Sequence, residues 1–324
     1  MRKLLKFVCL IVLPLFILGT LLVASDASFV RFNIRDSVRN TLQTFSGSSG
    51  TVDYLFLGAS SADCAINPEL LAEEYGRLSG NSKVFLQMAE GGGRLDISYA
   101  YLEAASSRLT VKTVFVEINE RQISVGAPHP WAYQLMPVNF WLSEVTASST
   151  FGDSGKGLSG LLKKLGSNLN SKTYRAFLNN PAPTAIKEHI ASNTRSSWGG
   201  WGPKHYAAGL SSLSARKGKN VFDIEPDNYA DRTIKKIIDL CDKRNIELYF
   251  IYIPRLMIPP LDPSVAAKFQ QRYGRELVFY PEDTHNELFQ AKGWADGLHM
   301  NTIGQEIYAK DLARTIYGME HRTP

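Results

Sequence analysis

The chain is poor in cysteine and histidine. Three cysteines occur in 324 residues. Cys9 lies in an apolar run near the N-terminus, which leaves only Cys64 and Cys241 to pair. One bridge at most excludes a disulfide-stapled scaffold, which needs several in a much shorter chain. The six histidines lie far apart. Neither a His-x-x-x-His nor a Cys-x-x-Cys spacing occurs, so neither a metal centre nor any other cofactor is expected. Internal repeats and low-complexity tracts are also missing, which removes solenoids and fibrous classes.

Long apolar runs are scarce, with one exception. Arg2, Lys3 and Lys6 precede Phe7 to Ala24, a stretch of 18 residues broken only by Pro14, Gly19 and Thr20. That length just crosses a bilayer, and the basic flank places the following chain outside the cytoplasm. Residues 1–24 are therefore expected to form a membrane anchor, or a signal segment cut near Val23-Ala24-Ser25. The body would face the periplasm or cell surface, or be secreted after cleavage. Residues 25–50 read as a connector, with a helix over 29–44.

What is present is a globular composition, 44% hydrophobic and 21% charged. Short apolar strands alternate with amphipathic helices. Strands are expected at Tyr54–Leu57, Val84–Met88, Thr113–Ile118, Glu247–Ile253 and Leu277–Tyr280. Helices are expected at Pro68–Tyr75, Ile97–Leu109, Asn228–Arg244, Pro263–Tyr273 and Thr302–Tyr317. This rhythm predicts an α/β fold, a three-layer α/β/α body over 51–324 with a mainly parallel sheet. In such sheets chemistry gathers at the carboxyl ends of the strands.

The rhythm breaks over about 126–222. Between Phe151 and Lys219 eleven Lys and Arg face only Asp153 and Glu188, a local balance of +9 against +5 for the whole chain. This basic insertion is either a solvated lobe or a platform for an anionic polymer or membrane surface. On the second reading Trp198 and Trp201 offer stacking faces for substrate. Nucleic acid fits the charge but not the expected location.

Two short stretches carry the chemistry. "YLFLGASS" ends a strand at Gly58 and presents Ser60 and Ser61 at a helix start. "WADGLHMNTIG" sets Asp296 three residues before His299, with Asn301 as a helix N-cap. At that spacing the carboxylate reaches one imidazole nitrogen and leaves the other outward, the arrangement a general base for serine requires. A glycine cluster, Gly91 to Gly93, follows the second strand, and Asn119 in "VEINER" follows the third.

This ordered set resembles the SGNH/GDSL esterase and acyltransferase superfamily, a flavodoxin-like fold named for its Ser, Gly, Asn and His. The first block, "FLGASS", selects Ser60 over Ser61 as nucleophile, and "DGLHMNTIG" matches the last. The middle blocks depart. Gln87 stands where an asparagine is usual, and Gly92 takes the oxyanion place, with Gly91 and Gly93 as rival registers. The third block lacks its usual Gly-x-Asn-Asp. The resemblance implies a Ser60-His299-Asp296 triad, with an oxyanion hole from Ser60, Gly92 and Asn119.

The anchored layout is similar to subfamilies that modify cell-surface polymers, such as D-alanyl transfer proteins and exopolysaccharide O-acetyltransferases. It implies an acylated or acyl-accepting polysaccharide as partner, anionic in some cases, and a membrane-bound acyl-donor protein. A non-catalytic polymer-binding protein and a membrane-face lipase or thioesterase are the other readings. Each site residue also has a plainer role: Ser60 as a helix cap, His299 as a loop histidine, Gly92 as a turn and Asn119 as an Asx turn. Asp63 and Cys64 are expected to line the following helix, and His129 and His285 to be incidental.

Overall fold

The computed structural model describes residues 50–89, 93–124, 140 and 218–322. Contacts divide the chain into two compact units, 1–39 with 127–184 and 40–126 with 185–324. Every described residue except Phe140 belongs to the second unit. The expected anchor, Gly92, Trp198, Trp201 and nearly all of the basic insertion lie outside the described residues. Among those described, no helix is long and apolar enough to cross a membrane.

Five strands form one parallel sheet: β1 (Thr51–Gly58), β2 (Phe85–Ala89), β3 (Thr110–Glu117), β4 (Glu247–Ile251) and β5 (Leu277–Val278). Their order is β2-β1-β3-β4-β5. The helices are α1 (Ser60–Ala65), α2 (Pro68–Ser79), α3 (Leu95–Ser106), α4 (Glu120–Ser124), α5 (Tyr229–Arg244), α6 (Pro263–Tyr273) and α7 (Thr302–Glu320). Parallel neighbours require crossovers, and the helices of those crossovers cover the sheet. The sheet order reverses between β1 and β3, so a crevice opens outside their carboxyl ends.

Side chains alternate along each strand. Tyr54, Phe56, Phe85 and Phe115 point into a cluster with Ala62 of α1, Leu71 and Tyr75 of α2, and Tyr308, Leu312 and Ile316 of α7. Aromatic rings stack across the strands, Phe56 on Phe115 and Phe115 on Tyr249, each pair with centroids 5.2 Å apart. These pairs sit in register, Phe56 beside Phe115 and Phe115 beside Tyr249. They add directional packing to the burial of large rings. Leu55, Leu57 and Val114 alternate with that set and are equally buried; α3 packs on β1, β3 and α5.

Four of the five expected helix starts hold, and α3 starts at Leu95 rather than Ile97. Asn67, Asn228, Asp262 and Asn301 each cap a helix with a side-chain oxygen. Such caps are worth about 1 kcal/mol apiece. Elements differ from expectation mainly at their ends. β1 and β3 each start three residues earlier, because Thr51 and Thr110 already pair in the ladder. The β5 strand is only two residues long. Cys64 and Cys241 are buried and unbridged, and burial pushes both thiols up to about 12.

Candidate active site

The nucleophile side begins with a close approach. A Cβ on Gly58 would come within 2.6 Å of both Ala62 Cβ and a Glu117 carboxylate oxygen, so only glycine lets β1 run this near β3. The chain then turns into α1 at Ala59, which sits at the cap position without a side-chain hydrogen bond. Its N–H instead donates to Glu117 Oε2 at 2.7 Å. Ser61 Oγ donates to Glu117 Oε1, and Asn119 Nδ2 donates to the same oxygen at 2.9 Å. Glu117 is 1% exposed, so these three donors replace the water its carboxylate has lost. Gln87 of β2 adds a second tie, donating to the Ala62 carbonyl at 2.6 Å.

Held this way, Ser60 opens α1 and turns its hydroxyl toward the last loop. That loop is a tight hairpin: Trp294 and Met300 form an antiparallel bridge, and Ala295 N–H donates to the His299 carbonyl at 2.9 Å. Its glycines are required by contact. A Cβ on Gly297 would fall 1.9 Å from Met257 Cγ and Sδ, and one on Gly304 would fall 2.1 Å from the Gly293 carbonyl oxygen. Asn301 caps α7 and also donates to the Lys292 carbonyl at 2.8 Å. Trp294, 1% exposed, roots the hairpin in the core through an indole N–H bond to the Leu288 carbonyl, 2.9 Å long.

The two sides meet as a relay. His299 Nε2 lies 3.0 Å from Ser60 Oγ, and Asp296 Oδ2 lies 2.8 Å from His299 Nδ1. Asp296 Oδ1 accepts the N–H groups of Leu298 and His299 at 2.7 and 2.8 Å. Partial burial works against the ionised Asp296, but these hydrogen bonds and the imidazole hold its carboxyl below the ordinary value. Bonded to a carboxylate through Nδ1–H, the ring presents Nε2 as an acceptor to the serine hydroxyl.

Asn119 reaches the same cleft, though part of its side chain is already in use. Its Oδ1 caps α4 by accepting the N–H groups of Arg121 and Gln122 at 3.1 Å. Gln122 Oε1 returns a bond to the Asn119 N–H at 3.1 Å, forming a capping box. The Asx role is thus realised, and one amide hydrogen serves Glu117. The other has no partner among the described residues. Ser60 is not the cap of α1, which is Ala59. His285 pairs with Asp311 at 2.9 Å, away from the cleft.

The cleft holds about 370 Å³, the size of a small-ligand site. Besides Ser60, His299 and Asn119 it is bordered by Gly93, Arg94, Arg121, Gln122 and Arg255. Gly93, the one described member of the glycine cluster after β2, reaches the site. Sequence reasoning missed Glu117 and Arg255. The available signals were an acid ending an apolar strand in "TVFVEI" and an arginine just past "ELYFIYI". Among the described residues no cluster of His, Cys, Asp or Glu is arranged to hold a metal. No family model matches the chain, and neither does any curated protein.

Proposed function

We propose that the chain is a serine esterase or O-acyltransferase of the SGNH type, acting through an acyl-enzyme outside the cytoplasm. Its substrates would be acyl groups, acetyl first among them, on a cell-surface or exported polysaccharide. The observation that carries this reading is the unbroken relay from Ser60 through His299 to Asp296, built from segments about 240 positions apart. Chance rarely brings a serine, an imidazole and a carboxylate into line at a strand switch point.

In the reaction, Ser60 Oγ attacks the acyl carbonyl while His299 Nε2 takes its proton. Asp296 holds the ring and stabilises the imidazolium. The tetrahedral oxyanion forms beside the first turn of α1, where the Ser60 N–H has no intrahelical partner. The second amide hydrogen of Asn119 is a further donor, and an N–H of the glycine cluster, Gly92 by the family resemblance, is the third. Imidazolium returns the proton to the leaving alkoxide. Water or a sugar hydroxyl then attacks the acyl-serine, with His299 again as base, and regenerates Ser60.

A fluorophosphonate probe tests the reading directly. Labelling should appear in the wild type and vanish in Ser60→Ala, with ester turnover falling by about 10⁴-fold or more. A folded wild type that neither labels nor hydrolyses any ester would leave the non-catalytic binding reading in its place. Short-chain acyl esters and lipid-like esters are the two substrate classes to distinguish. Release of acetate from acetylated polysaccharide, without action on long-chain esters, would separate the two.

A further inference from the structure

The cleft border carries a charge that the relay does not use. Arg94, Arg121 and Arg255 all line it, and among the described residues no Asp or Glu does. Nearby acids are engaged elsewhere: Glu117 by Ala59, Ser61 and Asn119, Asp296 by His299, and Glu120 by Arg255 at 2.5 Å. Among the described residues, then, Glu120 pairs with Arg255, and the exposed Arg121 adds a second guanidinium.

Arg255 is the informative one. It is 4% exposed, which few arginines are unless fully paired. Only Nη2 is used, donating to Glu120 and to Tyr252 Oη at 2.5 and 3.1 Å. Its Nε is buried with no partner among the described residues. Gln122, 5% exposed, repeats the pattern. Its Oε1 is fixed by the Asn119 N–H, which sets the amide orientation and leaves Nε2 as a buried donor without a partner among the described residues. Two buried donors, unpaired among the described residues and carried by side chains that line one cleft, are a cost unless a small side-chain shift lets a ligand complete them.

We propose that this wall is an anion-reading subsite: the acyl-bearing molecule presents a carboxylate or phosphate oxygen to Arg255, Arg121 and Gln122 while its ester lies at Ser60. A planar guanidinium suits both groups, because its N–H fork matches their paired oxygens. The subsite rests on the serine reading given above and narrows it to esters carrying a negative charge close to the acyl group.

Three aryl acetates that differ only at the meta position test this on the full chain: 3-acetoxybenzoate, 3-acetoxyphenyl phosphate and 3-acetoxybenzamide. At least one charged ester should exceed the amide in kcat/KM by roughly ten- to a hundredfold. Whichever charged ester leads identifies uronate-like or phosphate-like substrates. Arg121→Gln removes an exposed charge without opening the core, and Arg255→Lys keeps the charge but loses the fork. Both should shrink the preference severalfold.

Equal kcat/KM for all three would overturn the subsite, as would a preference unchanged in both variants. Fluorophosphonate labelling of Ser60 reports the serine reading separately, so labelling with equal kcat/KM sinks the subsite alone. If Ser60 does not label and no ester is hydrolysed, the serine reading fails. Saturation-transfer NMR of the same three compounds on Ser60→Ala then decides the subsite, and equal signals overturn it.

Discussion

The two halves of the relay are built in opposite ways. The serine side is buried and cross-tied: Glu117, 1% exposed, collects donors from three positions around the β1 turn. The base side is a surface hairpin on which the Asp296 and His299 side chains are 43% and 24% exposed. Its rigidity comes from beneath, through Trp294, Asn301 and the close approaches at Gly297 and Gly304. The difference separates two jobs. On the proposed reading the nucleophile must hold one orientation against a strand end, whereas the base must exchange protons with substrate and solvent. Mutations on the serine side should therefore cost stability and rate together, and those at the base itself should cost rate alone.

The largest expected effect is Asp296→Asn. An amide cannot hold the productive tautomer, so kcat should fall by about 10³–10⁴-fold. The side chain is substantially exposed, so the melting temperature should stay nearly unchanged. A large drop in thermal stability would break the contrast, because it would make the hairpin as dependent on its carboxylate as the β1 turn is on Glu117.

Glu117 should show the coupled loss. Glu117→Ala strands the buried donors of Ala59, Ser61 and Asn119 and opens a cavity. It should cost about 3 kcal/mol or more, roughly 6–12 °C in Tm. Glu117→Gln keeps the volume but turns an N–H toward donors. It should retain the fold with a smaller Tm loss and lower kcat about tenfold or more, while KM changes little. A wild-type kcat in a destabilised Glu117→Gln would reduce the residue to scaffolding and remove its positioning role.

Smaller effects should sort by what each glycine meets. The nearest atom to a Cβ at Gly304 is the backbone oxygen of Gly293, whereas at Gly297 it is the flexible Met257 side chain. Gly304→Ala should therefore lower Tm more than Gly297→Ala, and Met257→Ala should recover part of the second loss but none of the first. Equal losses without rescue would mean that the hairpin is set by something other than these contacts.

The base side was legible in the sequence because its information is local. Asp296, His299, Asn301 and Gly304 lie within nine residues, so spacing alone shows the pair, the cap and the turn. Ser60 was legible as the serine after a strand-ending glycine. The parallel α/β pattern could be read from β-branched runs alternating with helices. Glu117 could not be read in the same way, because its donors at 59 and 61 lie across a strand crossover. Nothing in "VEINER" says which neighbour meets the acid. Arg255 is hidden for the same reason: its partner Glu120 is 135 positions away. Asn119 was legible as an Asx turn after a strand, and its Oδ1 does cap α4; the amide hydrogen that an oxyanion hole would use is a separate group. The gap between local and crossover information also explains the element ends: β1 and β3 extend to threonines whose pairing is visible only in the ladder.

The smallest expected effect concerns pH. Hydrogen bonds and the imidazole hold the folded Asp296 carboxyl below its ordinary value, against the opposing pull of partial burial. A carboxyl lowered on folding binds fewer protons in the native state than in the unfolded one. Its contribution is therefore complete above its unfolded value, near 4, and is lost as the pH falls through the folded value. Unfolding free energy measured in urea should fall as the pH drops below about 4 in the wild type. Asp296→Asn removes that one titration, so its curve should be slightly flatter over the same window and parallel to wild type above it. Glu120 and Asp231 are lowered in the same direction and remain in the variant, so most of the acid sensitivity should persist. A wild-type curve that already diverges from the variant at neutral pH would mean that the exposed hairpin carboxylate carries structural weight, and the division between an anchored nucleophile and a lightly held base would no longer describe the site.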